Sequence, residues 1–278
     1  MRRGKRGDIV NVLLVLMALA GLGLMLYPTV SDLWNRDRQT RSIVSYVEAT
    51  GELSQDQIDD MFDQATAYNR GLRKTDIQWE LSDQQVAAYD ELLRVDESGV
   101  MGCMSIPKID LTLPIYRGTE EEAMKVAATH LAGTSLPIGG EGTHTCITGH
   151  RGLPSAMLFT NLDKLKEGDT WTITVLGRTV TYEADQIRIV EPTDLDTLFI
   201  DTHADLCTLI TCTPYGVNTH RLLVRGHRIQ NAPEELAVYA EAVRVDARYV
   251  ALAIAVPVLV VMFLVAVLRP VSPRDAKG

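Results

Sequence analysis

Two long apolar runs stand near the ends of the chain, and between them the hydrophobic pattern changes period once. Residues 9–27 are apolar apart from Asn11 and a few small residues. Residues 249–268 form the second run, interrupted only by Pro257. At helical rise each is long enough to cross a hydrocarbon core of about 30 Å, and membrane helices tolerate a proline better than soluble ones. Ala18-Leu19-Ala20 resembles a signal-peptide cleavage site. The apolar residues continue past it to Tyr27, so the pattern predicts an uncleaved helix.

Residues 32–50 are polar and compatible with a helix. Trp34 falls where an interfacial aromatic anchor belongs, and Thr50-Gly51 is the break. Ser54 then caps a helix in which Ile58, Met61, Phe62, Ala65 and Tyr68 form one apolar stripe, suited to packing. Residues 70–83 are polar and irregular except for Trp79. Ser82 starts another helix, with Val86, Tyr89, Leu92 and Leu93 on one face. From residue 99 the period shortens. Segments 99–107, 111–116, 143–148, 170–176, 179–187, 206–211 and 222–224 read as short strands punctuated by glycine and proline. Leu176-Gly177-Arg178 predicts a hairpin turn. Residues 120–128 read as a short helix among the strands, and 233–245 as a last helix before the second apolar run. Many short strands with turn signals predict a barrel or a sandwich.

Charge sharpens this division. The chain has 278 residues and a net charge of −9. The first thirty residues carry Arg2, Arg3, Lys5 and Arg6 against Asp8. The last thirty carry Arg269, Arg274 and Lys277 against Asp275, which leaves residues 31–248 at −14. So acidic a middle excludes nucleic acid as a partner, because binding it requires a basic footprint. The basic residues flank both apolar runs on their terminal sides. The positive-inside rule then places both termini in the cytoplasm and residues 31–248 outside.

The four cysteines, Cys103, Cys146, Cys207 and Cys212, all lie in that outside part. Two disulfides are one reading. Buried or reactive thiols are favoured, because the middle is large enough to build its own core. Cys212 ends one strand-like run and Arg221 begins the next, so antiparallel pairing sets thiol beside guanidinium. A thiol nucleophile also needs a base. Of six histidines, His150 sits where a strand ends and the loop at 151–154 begins. His144 lies within that run, and His220 points away from Arg221 by alternation. Zinc would need paired ligand spacings, which are absent, and no phosphate-binding glycine loop is present. No cofactor is expected.

Longer motifs extend these spacings. Residues 208–212 read TLITC and continue as TPYGVNTHRL to 222; residues 148–154 read TGHRGLP. Upstream stand GVMG (99–102), IPKI (106–109), LPIYRGT (113–119) and HLAGTSLP (130–137). The chain resembles the class C, pilin-polymerising sortases across about 99–229. The resemblance implies an eight-stranded sortase β-barrel with N-terminal and short inserted helices, flanked by two transmembrane helices. It implies Cys212 as nucleophile, His150 as acid/base or ion-pair partner, and Arg221 as the group holding the substrate carbonyl and its oxyanion. It also implies a Gram-positive envelope and pilin subunits with LPxTG-like sorting signals as partners. Class C sortases usually carry a lid with an Asp-Pro-aromatic motif. Here residues 74–83 lack Asp-Pro, and Asp76 and Trp79 are the candidates for the two roles.

The expected organisation is a basic cytoplasmic segment 1–8, a transmembrane helix 9–30, and an outside helical region with a possible lid, 31–98. The catalytic barrel 99–230, a helix or linker 231–248, a second transmembrane helix 249–268 and a cytoplasmic tail 269–278 follow. The expected activity is pilus assembly by transpeptidation. The alternatives are a sortase that attaches surface proteins to the cell wall, a hydrolytic cysteine peptidase, and a tethered binding module that has lost catalysis.

Overall fold

The computed structural model describes residues 3–72, 81–118, 121–231 and 260. Residues 26–236 form one compact unit, and residues 1–25 fall in another. The second apolar run at 249–268 and the helix at 233–245 lie outside the described residues, apart from Val260.

The first apolar run and the polar segment after it form a single helix, α1 (Arg3–Gly51), rather than two elements. Within it, Leu16–Gly51 includes a stretch of mean hydropathy 1.4 with none of it buried. Leu24 and Met25 are 78% and 80% exposed, as no core helix of a soluble protein would leave them. Among the described residues this is the one helix long and apolar enough to cross a membrane. Trp34 is also exposed.

Ser54 caps α2 (Gln55–Leu72): Gln57 N–H donates to Ser54 Oγ at 3.3 Å, and Gln57 Oε1 accepts from Ser54 N–H. The apolar stripe packs on the barrel core as its spacing predicts, with Phe62 and Ala65 buried. Ser82 and Gln85 form a capping box at the start of α3 (Asp83–Glu91). Tyr89 and Leu93 are buried, but Val86 is 40% exposed and does not join their face.

Eight strands close into a barrel: β1 (Val100–Ile106), β2 (Leu111–Arg117), β3 (Ala128–His130), β4 (Thr143–Thr148), β5 (Thr170–Val175), β6 (Arg178–Val190), β7 (Asp205–Thr213) and β8 (His220–Ile229). Their order around the barrel is β1-β2-β3-β4-β7-β8-β6-β5, with β5 returning to β1. β2–β3 and β4–β7 are parallel. The β5–β6 hairpin turns at Leu176 and Gly177, both at positive φ, as a two-residue hairpin loop requires. The expected helix at 120–128 shrinks to α4 (Glu121–Met124), and its last residue, Ala128, begins β3.

Alternation along the strands sorts side chains into two sets. Ile147, Cys207, Leu209, Leu222 and Val224 point into the barrel core. Their neighbours Cys146, Ile210 and Leu223 point outward and form a second cluster with Leu198. That outer cluster lies beneath the β6–β7 connection, which carries a short 3-10 helix at Asp196–Leu198. It is the apolar floor on which the site is built.

Candidate active site

Cys212 follows Ile210 by two residues and shares its outward face. On β8, Arg221 stands in the same relation to Leu223. The register pairs Cys212 with Arg221 directly, as the antiparallel reading predicts. His150 lies two residues beyond Thr148, the end of β4, on the strand that runs parallel to β7. Two hydrogen bonds carry that pairing past the end of β4. Gly149 N–H donates to Ile210 O at 3.1 Å, and Thr211 Oγ1 donates to Gly149 O at 2.8 Å. The three predicted residues therefore meet at one end of three adjacent strands, β4, β7 and β8.

They line one cavity of about 470 Å³. Leu131, Val190, Leu195, Leu198, Ile210 and Leu223 supply most of its apolar wall, and Met124, Glu191 and Asp194 also line it. Cys212 is half-buried, whereas Cys103, Cys146 and Cys207 are buried. All four are thiols rather than disulfides. Burial pushes the Cys207 thiol up to about 12 and the Cys146 thiol well above its ordinary value, so neither supplies a thiolate near neutral pH. Cys207 faces the barrel core, opposite to Cys212, as odd spacing along a strand requires.

Arg221 donates from Nη1 to His220 O at 3.1 Å and Asn218 O at 3.4 Å. Among the described residues it forms no ion pair, so backbone carbonyls aim its guanidinium without a carboxylate neutralising it. His220 turns aside to Glu191, 3.4 Å away, and does not line the cavity. Asp76 and Trp79 lie outside the described residues.

Two other histidines, His144 and His130, are buried and do not line the cavity. His144 bridges Phe199 O at 2.9 Å and Thr208 Oγ1 at 2.7 Å. His130 is fully buried. Its Nε2 lies 2.9 Å from Ser135 O, which can only accept, so Nε2 carries the proton. Tyr89 O–H then donates to Nδ1 at 2.8 Å, and Gly118 N–H donates to Tyr89 Oη at 3.2 Å. Burial holds His130 down at about 4. An unfolded chain takes up that proton near pH 6.5 while the folded protein refuses it. The contribution to stability is therefore complete above about pH 6.5 and lost as pH falls to about 4, a change of about 3 kcal/mol. Burial lowers His144 as well and adds in the same direction, while the raised carboxyl of Asp205 works against both. Urea unfolding midpoints measured from pH 7.5 to 4 should fall through this window, and a flat profile would contradict the assignment.

The cavity walls were the part the sequence reading missed. The β6–β7 connection contributes Glu191, Asp194, Leu195 and Leu198, none of which stands in a regular pattern. Only the run of acidic and turn-forming residues from Glu191 to Asp196 marks it as a loop.

A closed eight-stranded barrel with a half-buried thiol, an imidazole and an unneutralised guanidinium in one outer cavity has the chemistry of a thiol-dependent acyl-transfer enzyme. Residues 104–229 match the sortase domain family. Sortase A of Listeria monocytogenes is 28% identical over 132 residues, covering 47% of this chain and 57% of that protein. Sortase A of Staphylococcus aureus is 32% identical over 128 residues, covering 45% and 60%. The chain thus spans about three fifths of the length of these relatives. Among solved structures, sortase C1 of Streptococcus agalactiae is 47% identical with a TM-score of 0.68, covering 69% of this chain and all of that one. A lid mutant of sortase A from Corynebacterium diphtheriae is 42% identical with a TM-score of 0.61, covering 66% and 98%. The chain belongs to the sortase family, and its likeness to sortase C1 sets it among the class C members.

Proposed function

We propose that this protein is a membrane-tethered cysteine transpeptidase that joins pilin subunits through their LPxTG-like sorting signals. The observation that carries the reading is the single cavity shared by Cys212, His150 and Arg221. The Cys212 thiolate attacks the threonine carbonyl carbon of the signal, and the carbonyl π pair moves onto oxygen. Arg221 holds that oxyanion with its fork of N–H donors. As the tetrahedral intermediate collapses, the Thr–Gly C–N bond breaks, and His150 gives its proton to the departing glycine amine. A thioester to Cys212 remains. A lysine amine of the next subunit then attacks the thioester, passes a proton to the neutral His150, and expels the Cys212 thiolate. The product is an isopeptide bond. Splitting one amide exchange into two acyl transfers is what a covalent intermediate offers.

The pilin assignment draws support from a structural neighbour named for a pilus island, sortase C1 of GBS pilus island 1, 37% identical with a TM-score of 0.62. The likeness to sortases named A as well as C keeps a second reading open, a sortase that attaches surface proteins to the cell wall. Full-length protein in detergent, incubated with a pilin subunit carrying an LPxTG-like signal, should produce a covalent ladder on denaturing gels. Cleavage of the signal without a ladder would reject polymerisation and leave anchoring or hydrolysis. The exposed apolar part of α1 is read as the anchor. The basic flanks of both apolar runs favour a topology with both termini in the cytoplasm and residues 31–248 outside, where the substrates are also tethered.

A further inference from the structure

Helix α1 carries a polar stripe that faces protein rather than solvent. Asp32, Asn35 and Gln39 recur at the spacing of one helix face. Asn35 and Gln39 are buried. A buried amide needs partners, and both find theirs on loop backbone. Asn35 Nδ2 donates to Ser155 O at 2.7 Å, and Gln39 Nε2 donates to Val126 O at 2.7 Å. Met157 N–H donates to Asp32 Oδ1 at 2.8 Å. Arg36 Nε donates to the other oxygen of Asp32 at 3.0 Å and fixes its orientation.

Those backbone groups belong to the loops that shape the cavity. Val126 comes two residues after Met124 in its wall. Ser155 and Met157 belong to the loop that leaves His150, and this loop returns to it at once: Phe159 N–H donates to His150 O at 3.1 Å. The Phe159 ring lies so close to Gly149 that a Cβ there would come within 2.9 Å of it. His150 is thus held on one side by β7, through Gly149, and on the other by the 155–159 backbone. That backbone has its own path set by α1. Ala156, between the two residues α1 grips, is buried and completes the attachment.

We propose that Asp32 and Asn35 are positioning residues for His150, acting through the backbone at 155–159; this rests on the reading of His150 as the acid/base. They grip one carbonyl and one N–H, so they constrain the path of the loop and leave its side chains free to vary. The stripe on α1 is therefore part of the active-site framework as well as a packing surface.

The test uses the full-length protein in detergent, with Asp32→Ala/Asn35→Ala as the disruptive variant. Asp32→Asn is the conservative one, because its amide oxygen still accepts from Met157 N–H. Three quantities are read: kcat and KM for cleavage of an LPxTG-like peptide, the pH profile of Cys212 alkylation by iodoacetamide, and the thermal midpoint. Neither variant touches the other charged groups around His150: Arg221, Glu191 and Asp194 in the cavity, Arg151 beside it in sequence and paired to Asp163, and Glu121, paired to Lys125. Asp32→Asn removes the same carboxylate as the double variant, so a change confined to the double variant is not an effect of that charge. In the double variant kcat should fall by at least about ten-fold with KM held within about two-fold. Its alkylation profile should move toward that of His150→Ala, while Asp32→Asn stays close to wild type. A lower thermal midpoint with kcat and alkylation profile unchanged would overturn the proposal and reduce the contacts to packing. A wild-type alkylation profile indifferent to His150→Ala would instead overturn the acid/base reading itself, and the positioning role with it.

Discussion

Cys212→Ala is expected to abolish acyl transfer, lowering kcat by at least about 10⁴-fold, since removing a nucleophile removes the covalent route altogether. The expectation is specific to one thiol of four. Cys146 and Cys207 have their thiols pushed up by burial, and Cys103 is also buried, whereas Cys212 stands half-buried at the end of β7 in the cavity wall. Mass spectrometry of native protein treated with a small alkylating agent should therefore show one rapid adduct, lost in Cys212→Ala. With an LPxTG-like peptide, the wild-type protein should accumulate a thioester adduct on the same residue. Replacing Cys207 by alanine should leave both adducts in place and lower only stability. A thioester surviving in Cys212→Ala would move the nucleophile elsewhere and sink the assignment.

How far the site could be read beforehand follows from where its information lies in the chain. Cys212 beside Arg221 was legible because β7 and β8 are consecutive and antiparallel. A turn of known extent then fixes the register, and the register fixes the pair. His150 was legible only as the end of a strand. Its nearness to Cys212 depends on a parallel β4–β7 pairing across more than fifty residues, which leaves no local trace. The motifs supplied that link. β3 was missed for a related reason. Three residues held by a parallel β2 on one side and an antiparallel β4 on the other need no alternation of their own. The single helix α1 was divided because the composition changes near residue 30 from apolar to charged. Composition reports the surroundings, whereas a helix needs only continuous backbone bonding. Its stripe of Asp32, Asn35 and Gln39 leaves no mark within the polar segment 32–50, since a polar residue buried against loop carbonyls is indistinguishable in sequence from one facing water. Val86 fails in the opposite sense: a periodic apolar position that the fold leaves exposed.

Arg221→Ala should lower kcat by about 10²- to 10³-fold with KM for the peptide little changed, because in the proposed role its donors act where charge develops rather than on the resting carbonyl. The geometry motivates the sign and the size. The Arg221 guanidinium is directed by His220 O and Asn218 O, faces the cavity beside Cys212, and has no carboxylate partner among the described residues to spend its charge on. Arg221→Lys separates charge from shape. A lysine keeps the cation but loses the rigid fork, so an intermediate loss is expected if two N–H groups grip the oxyanion, and near wild-type activity if a point charge suffices. The alkylation rate of Cys212 supplies the control. Reaction with iodoacetamide forms no oxyanion, so Arg221→Ala should slow peptide cleavage far more than alkylation. An equal loss in both would show that Arg221 acts on the thiolate instead of the transition state.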